Sequence, residues 1–574
     1  MPAWLTRRWD HLACDEAAVS RLAGELRIAP VLARLLCLRG VTDPDAAARF
    51  LDPRIEHLHD PLRLAGMREA VDRLLAAVAR QETIAIHGDY DVDGITSTVI
   101  LRRALEMLGG RVRHFIPERL RDGYGLQPAA IEQLHADGVH VIVSVDCGIR
   151  AVEAARRARD LGLDLIITDH HEPDSALPPA LAVINPKRGD CSYPDKNLAG
   201  VGVALKLVQA LCRRQGRERW LPGFVKVAAI GTLADVVPLT GENRVIARVG
   251  LAQLTAGPHS TGLQALLEAS GLAGRTIDGY HISFVLAPRV NAAGRMSTPD
   301  IAMRLLLAVG EDQAAEARQL AEQLNTENQR RQEEEAAIVA QARRVVETDP
   351  AVGAHNILVV AGEGWHRGVI GIVASKLVDH FCKPTVVLSV DGAVAHGSCR
   401  SIAAFDMLDA LERCGDVFAR YGGHRQAAGL SMEAARIPEF RARINAHADT
   451  VLSPDDLRPR LRIDATLPLS GIGPAVVDGL ERMAPFGLGN PRPVFDAPGI
   501  EIVSGPTKLK DKHLSMSVRQ DGRVFRALAW RGAERLEFLQ AHRARLDLAY
   551  CLERNTFRDE TRVELNVVDV RAAE

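Results

Sequence analysis

The sequence predicts an α/β protein of several domains, the largest built on a parallel β-sheet with helices on both faces. Three observations predict it. Between about residues 80 and 240, short continuous apolar runs alternate with stretches rich in Ala, Leu and Arg. That is the pattern of strands buried on both faces between crossover helices. Residues 311–347 are rich in Glu, Gln and Arg and contain neither Gly nor Pro. After about residue 455 the pattern changes to short β-like segments. At 574 residues the chain is too long for one hydrophobic core.

Taken in order, residues 1–75 read as short helices and turns punctuated by Pro30, Pro44, Pro53 and Pro61. Residues 76–310 form the main α/β domain, with strands at 83–87, 139–145 and 163–168 and helices at 97–108 and 150–161. The charged stretch reads as one exposed connecting helix, placed at 311–348. A second α/β domain follows at 349–452, with β-rich runs at 356–360 and 384–390 and a helix at 368–378. Residues 453–574 read as a small antiparallel β domain or barrel, with strands near 525–530, 546–551 and 562–568.

Composition sets limits on function. The chain is 47% apolar and 25% charged, with a formal net charge of −2. A globally basic nucleic-acid surface is excluded, so any such contact must come from local Lys/Arg clusters or bound metal. The nine cysteines are dispersed and form no CxxC pair. That indicates neither a zinc ribbon nor a disulfide framework and fits a reducing cytosol. The first ten residues carry no apolar signal core, and no uninterrupted apolar segment is long enough to span a bilayer. The expectation is a soluble cytoplasmic protein.

The strongest signal is where the acids fall. One apolar run ends in His87-Gly88-Asp89-Tyr90-Asp91-Val92-Asp93, a second in Asp146-Cys147-Gly148, and a third in Asp169-His170-His171. A fourth acid, Asp235, follows the apolar run 225–233. In an open parallel sheet, strand ends share one rim, and ligands bind there. So many Asp and His groups together repel one another unless a cation joins them. Carboxylates with imidazoles and no thiolate favour Mn(II) or Mg(II) over structural zinc. Two such ions sharing a bridging carboxylate clamp a phosphoryl group, and Asp146 is the expected bridge. An Asp-x-Asp alone is more often a turn or a helix cap; the conjunction of four sites carries the argument.

These motifs resemble those of the DHH phosphoesterase superfamily. Arg289-Val290-Asn291-Ala292-Ala293-Gly294-Arg295 resembles a further motif of its RecJ exonuclease branch. The segments 364–371 and 422–429 are similar to the DHH-associated domain. The resemblance covers roughly residues 50–570. It implies a DHH parallel-sheet domain joined by the long helix to a DHH-associated α/β domain, then an OB-like β-barrel. It implies a 5′-to-3′ exonuclease of single-stranded DNA that uses two metal ions, releases 5′-mononucleotides and serves recombination and repair.

The resemblance also implies roles. His87, Asp91 and Asp146 would hold one metal, and Asp93, Asp146, His170 and Asp235 the other. Asp89 would support them, and His171 would contact the scissile phosphate or assist the leaving group; a hydrogen bond orienting His170 is the plainer alternative. Arg289 would neutralise phosphate charge. For Asn291 and Arg295, a structural role is as well supported as a functional one. Ser398, Arg400, His424 and Arg425 would form a pocket for a terminal 5′-phosphate, with backbone N–H groups presented beside the Gly-flanked serine. Arg119 would reach a phosphate and Tyr124 would stack on a base, although core packing suits Tyr124 equally. Lys508, Lys510, Lys512 and His513 are the basic cluster of the β domain, with Phe525 and Trp530 near them in sequence. Implied partners are a single-strand-binding protein and a RecQ-type helicase, around a monomer.

Three other readings compete. A nanoRNase or cyclic-dinucleotide phosphodiesterase shares the rim but is much shorter, and so is an inorganic pyrophosphatase. A non-catalytic replication scaffold would have lost metal ligands, whereas here all the expected ones are present.

Overall fold

A computed structural model describes residues 7–118, 123, 125–557 and 560–573. The chain opens with strand β1 (Arg8–His11), followed by helices Glu16–Leu26, Pro30–Leu38 and Pro44–Leu51. The first sheet contains β2 (Thr83–Gly88), β3 (Arg111–Phe115), β4 (Val141–Val145), β5 (Asp164–Thr168) and β6 (Ala182–Ile184). Its order is β3-β2-β4-β5-β6, and every pairing is parallel. The sheet therefore has five strands where periodicity showed three. β3, RVRHF, has no buried residue, and β6 is only three residues long. Both fall below what an apolar run can signal.

The helix expected at 97–108 begins earlier, at Val92–Met107, because the Asp91 carboxylate caps it by accepting from the Gly94 N–H. The apolar run before Asp235 is a helix, Leu221–Ala234.

The connecting helix runs Ala314–Thr348. Its first turns bury Ala317, Leu320 and Leu324 in one core with Leu266, Leu286 and Val290. Its last turns bury Ile338, Ala342 and Val346 in another with Val360, Val373 and Leu377. The second sheet comprises β7 (Leu358–Glu363), β8 (Thr385–Asp391), β9 (Val394–Arg400), β10 (Phe418–His424) and β11 (Ala427–Glu433), in the order β10-β11-β9-β8-β7.

Strand β12 (Arg460–Ile463) pairs with β1, so the N-terminal segment meets the C-terminal domain. The barrel follows: β13 (Ala465–Thr466), β14 (Phe495–Leu509), β15 (His513–Gln520), β16 (Arg523–Ala529), β17 (Leu546–Phe557) and β18 (Glu560–Ala572). A β14–β17 pairing closes the five long strands into a ring. Leu32, Leu35, Leu36 and Phe50 share one core with Met483, Phe495 and Leu548. The N-terminal helices thus pack onto the barrel and form no core of their own. Among the described residues, no helix is long and apolar enough to cross a membrane.

Candidate metal centre and active site

Register explains why the acids meet. Gly88 lies beside Val145 and Val145 beside Thr168 across β2, β4 and β5. Asp89, Asp146 and Asp169 each follow one of those residues, so three distant stretches leave the sheet at one rim. Asp146 adopts left-handed backbone at φ 59, a strained state for a residue with a Cβ that is typical of functional sites.

Three sets of ligand atoms lie within 4.8 Å of one another: Asp89, Asp91 and Asp146; Asp93, His170 and Asp235; and Asp146, His170 and His171. Asp146 is common to two, as expected of a bridge. His170 Nε2 is 3.2 Å from Asp146 Oδ1, 3.7 Å from Asp235 Oδ2 and 3.9 Å from Asp93 Oδ2. His87 falls in none of the three sets; Asp89 stands in its place beside Asp91.

Asp93 is held by another helix. Its two oxygens accept the backbone N–H groups of Gly200 and Val201, each at 2.7 Å, at the start of helix Gly200–Arg214. A helix N-terminus favours a carboxylate. Asp235 sits at the C-cap of Leu221–Ala234, its Oδ1 accepting the Val236 N–H at 2.7 Å. Asp169 orients the neighbouring histidine. Its Oδ1 accepts His171 Nδ1–H at 2.7 Å, and its Oδ2 accepts the Ile149 N–H at 2.9 Å.

Electrostatics mark the rim as incomplete without a cation. Burial, then the neighbouring carboxylates, push Asp93 and Asp146 well above the usual carboxylate range and raise Asp91. Burial lowers His87 to about 4 and also lowers His170. Burial pulls His171 down, but the Asp169 hydrogen bond and charge outweigh it and leave His171 raised. Asp169 is lowered: burial raises it, but the His171 hydrogen bond and charge together with the backbone N–H groups of Ile149 and His171 outweigh burial. Three buried atoms here have no hydrogen-bond partner: His87 Nε2, Asp146 Oδ1 and Asp235 Oδ2. Each such atom costs about 1–3 kcal/mol. An oxygen- and imidazole-ligated cation of the Mn(II) or Mg(II) type suits this donor set.

The rim faces a hollow of about 530 Å³ whose far wall belongs to the second domain. Asn291 and Arg295 line it from below, and Arg400 and Ala427 from across. Asn291 Oδ1 accepts the Val92 N–H at 3.2 Å, bracing the start of the Asp93 helix. Arg295 Nη1 donates to Gly368 O at 3.0 Å and so spans the two domains. Arg289 does not line this hollow; its guanidinium donates to Val285 O and Asn325 Oδ1. A second hollow of about 250 Å³ is lined by Gln127, Cys147, Arg150, Asp169, His171 and His424. His424 thus reaches the rim from the opposite domain.

Ser398 and Arg400 lie on β9, paired on both sides by β8 and β11. The stretch is a central strand. Its ladder occupies the backbone N–H groups expected to face a phosphate, and Arg400 Nη1 donates to Cys399 O at 2.8 Å. Arg400 Nη1 lies 3.3 Å from Ser398 Oγ. Residues 422–424 form the end of β10. Gly423 has φ +150, and a Cβ there would lie 2.4 Å from Ala427 O, so only glycine closes this hairpin. Arg425 turns away and donates to Ala403 O at 3.2 Å. Arg119 and Tyr124 lie outside the described residues.

A groove of about 720 Å³ runs from Asp235 between the first domain and the barrel. Tyr280 and Phe284 lie on it with ring centroids 5.1 Å apart and planes at 29°. They are 62% and 68% exposed, and Val236 beside them is 81% exposed. Sequence reasoning passed over this pair, although the i, i+4 spacing of two aromatics was visible. It also passed over the anchoring of Asp93 by Gly200 and Val201, which only the tertiary structure brings about.

A parallel sheet with this Asp/His rim defines the class, the DHH phosphoesterases. The DHH family, N-terminal domain, matches residues 83–232, the DHHA1 domain 354–449, and the RecJ OB domain 463–569. The chain belongs to the RecJ family of single-stranded-DNA-specific exonucleases. It is 36% identical over 488 residues to single-stranded-DNA-specific exonuclease RecJ of Escherichia coli, covering 81% of this chain and 83% of that one. It is 39% identical over 488 residues to the Bacillus subtilis RecJ, covering 85% of this chain but only 61% of that longer relative. The crystal structure of Thermus thermophilus RecJ in complex with Mn²⁺ superposes with a TM-score of 0.83 at 33% identity, covering 99% of this chain and 80% of that one.

Proposed function

We propose that the chain hydrolyses single-stranded DNA from the 5′ end, releasing 5′-mononucleotides, in recombination and repair. One observation carries this. A single hollow brings the Asp/His rim, with its unpaired buried ligand atoms, against Arg295 and against Arg400 of the second domain. We assign one divalent ion to His87, Asp91 and Asp146 with Asp89 beside them, and a second to Asp93, Asp146, His170 and Asp235. Such ions, Mn(II) or Mg(II), supply charge neutralisation and a water of lowered pKa when bound.

The protein's own groups do the rest. His171, whose Nδ1–H is held by Asp169, would act as the imidazolium and donate its Nε2 proton to the departing 3′ oxygen, becoming neutral. The Asp169 hydrogen bond and charge favour the protonated form. Of the two arginines in the 289–295 motif, Arg295 lines the hollow, and we place neutralisation of phosphate charge on it. Arg289 braces the motif against the connecting helix through Asn325. Ser398, Arg400 and His424 receive the terminal phosphate. Gly371, at the start of helix Ile370–Phe381, lets that helix approach Ser398 and Arg400, since a Cβ there would lie 3.0 Å from Ser398 Oγ. Only a free 5′ end carries such a group, which supports end specificity. The strand runs on along the groove, where Tyr280 and Phe284 offer faces for bases.

The test is digestion of a single-stranded oligonucleotide labelled at either end, with Mn(II), Mg(II) or EDTA, beside a blunt duplex and a dinucleotide. Metal-dependent release of the 5′ label as mononucleotide, with the duplex spared, is the expected result. Cleavage of the dinucleotide alone would replace this reading with a nanoRNase. The same reading extends to a cytoplasmic monomer that works with a single-strand-binding protein and a RecQ-type helicase, which sedimentation and binding to the purified partners test.

A further inference from the structure

The thiol of Cys147 has no part in the chemistry above, yet it lies against one of the assigned ligands. Its Sγ is 3.6 Å from His87 Nδ1 and 4.0 Å from His87 O, and both residues are buried. We infer that Cys147 is a positioning residue that fixes the tautomer of His87: Nδ1–H donates to Sγ, and Nε2 keeps its lone pair for a divalent cation. This rests on the metal assignment made above.

The geometry argues for that tautomer. A neutral imidazole carries one N–H. With the proton on Nδ1, the ring donates to sulfur, while the S–H points to the His87 carbonyl. The atom left over is Nε2, which is buried and has no partner. With the proton on Nε2, the ring would turn a buried N–H toward the rim in place of a lone pair. The S–H would also be drawn off the carbonyl to Nδ1. Metal-bound histidines are ordinarily held this way, by a group on the other ring nitrogen; here the group is a thiol.

The local chain explains how cysteine arrives there. Asp146 at φ 59 and Gly148 at φ 110 form a tight turn out of β4. Ser144 Oγ donates to Cys147 O at 2.9 Å and pins that turn. Phe115, on the neighbouring strand β3, stacks on the His87 ring at 5.3 Å and 23°, which fixes the ring plane, and the backbone carbonyl of His87 is a second acceptor for its own ring beside Cys147.

The first arm uses the metal-free wild-type chain labelled with ¹⁵N-histidine. NMR at alkaline pH reads which nitrogen of His87 is protonated, with His87→Gln assigning the signal. A proton on Nδ1 is expected, and a proton on Nε2 overturns the inference whatever the Cys147 variants do. The second arm titrates Mn(II) by EPR into wild type, Cys147→Ala and Cys147→Ser, with Cys399→Ala as a buried-thiol control in the second domain. Cys147→Ala is expected to weaken one Mn(II) site by about 10–100-fold, with a melting shift no larger than that of Cys399→Ala. Cys147→Ser is expected to recover part of the affinity. Wild-type affinity in Cys147→Ala overturns the inference and leaves the metal centre standing. A wild-type chain that binds no Mn(II) overturns both.

Discussion

Replacing Gly200 by alanine should disable the site without removing any of its ligands. Gly200 opens helix Gly200–Arg214, and its N–H holds Asp93. A Cβ there would stand 2.4 Å from Asp146 Oδ1 and 2.7 Å from Asp146 Cγ. Ordinary contact begins near 3.4 Å, so one of the two groups must give by about 1 Å. The helix start is fixed by its bonds to Asp93, whereas Asp146 Oδ1 has no hydrogen bond. The carboxylate therefore moves, and it is the one shared by two of the three ligand sets. A 1 Å misplacement in a catalytic constellation costs about 10²-fold in rate, or about 2.7 kcal/mol of barrier. Crowding should cost about 1–3 kcal/mol of stability, leaving the protein folded at 25 °C. The assay is kcat/KM on a 5′-labelled single strand at saturating Mn(II), beside a thermal melt. Gly24→Ala, with nothing within 4 Å of the new Cβ, is the control and should be neutral or slightly stabilising. Wild-type kcat/KM in a folded Gly200→Ala protein would refute the placement of Asp146 at the centre.

Other perturbations give distinct signatures. Asp146→Asn should abolish hydrolysis yet raise the melting temperature of the metal-free chain, because it removes a buried charge repelled by Asp93 and Asp91. A gain on the order of 1 kcal/mol corresponds to about 2–4 °C, and added Mn(II) should no longer raise the melt. Tyr280→Ala with Phe284→Ala should weaken binding of long single strands in EDTA by about 1–3 kcal/mol per lost stacking partner. Cleavage of a dinucleotide should be unchanged, and equal loss on both substrates would place the pair elsewhere in the mechanism. Lys206→Met should destabilise the first domain by about 3–5 kcal/mol, since Lys206 and Glu242 are buried and 2.9 Å apart. Pairing it with Glu242→Leu should restore part of that in urea unfolding. Arg244→Met should lower the melting temperature and split unfolding into two transitions. It strips donors from Phe50 O, Arg482 O and Ala484 O, carbonyls that link the N-terminal segment, the first domain and the barrel.

Legibility followed burial. β2, β4 and β5 are almost wholly buried and read as apolar runs, so the amino-acid pattern alone places the acids at their ends. β3 and β6 lie at the sheet edges and give no such run. Asp235 was legible as a ligand type although its helix was not, because the run 225–233 is apolar on nearly every side and so carries no period. Asp91 shows a residue doing two jobs: the motif marks it as a ligand, while its capping of Val92–Met107 explains why the helix begins there. Arg289 and Arg295 lie six residues apart and look alike in sequence. Only the position of their helix against Asn325 and Gly368 separates brace from lining. The packing of the first helices onto the barrel was invisible, since it joins segments more than 400 residues apart.

The connecting helix also bears on which length changes the chain can tolerate. Its 35 residues span about 52 Å at the usual rise of 1.5 Å each, with opposite ends embedded in different cores. One inserted residue would turn everything beyond it by about 100° and swing Arg400 and His424 off the rim. Seven would restore the phase to within about 20° but lengthen the strut by about 10 Å. Insertions and deletions should therefore be purged from this segment while they accumulate in surface loops, whatever the identity of its exposed Glu, Gln and Arg.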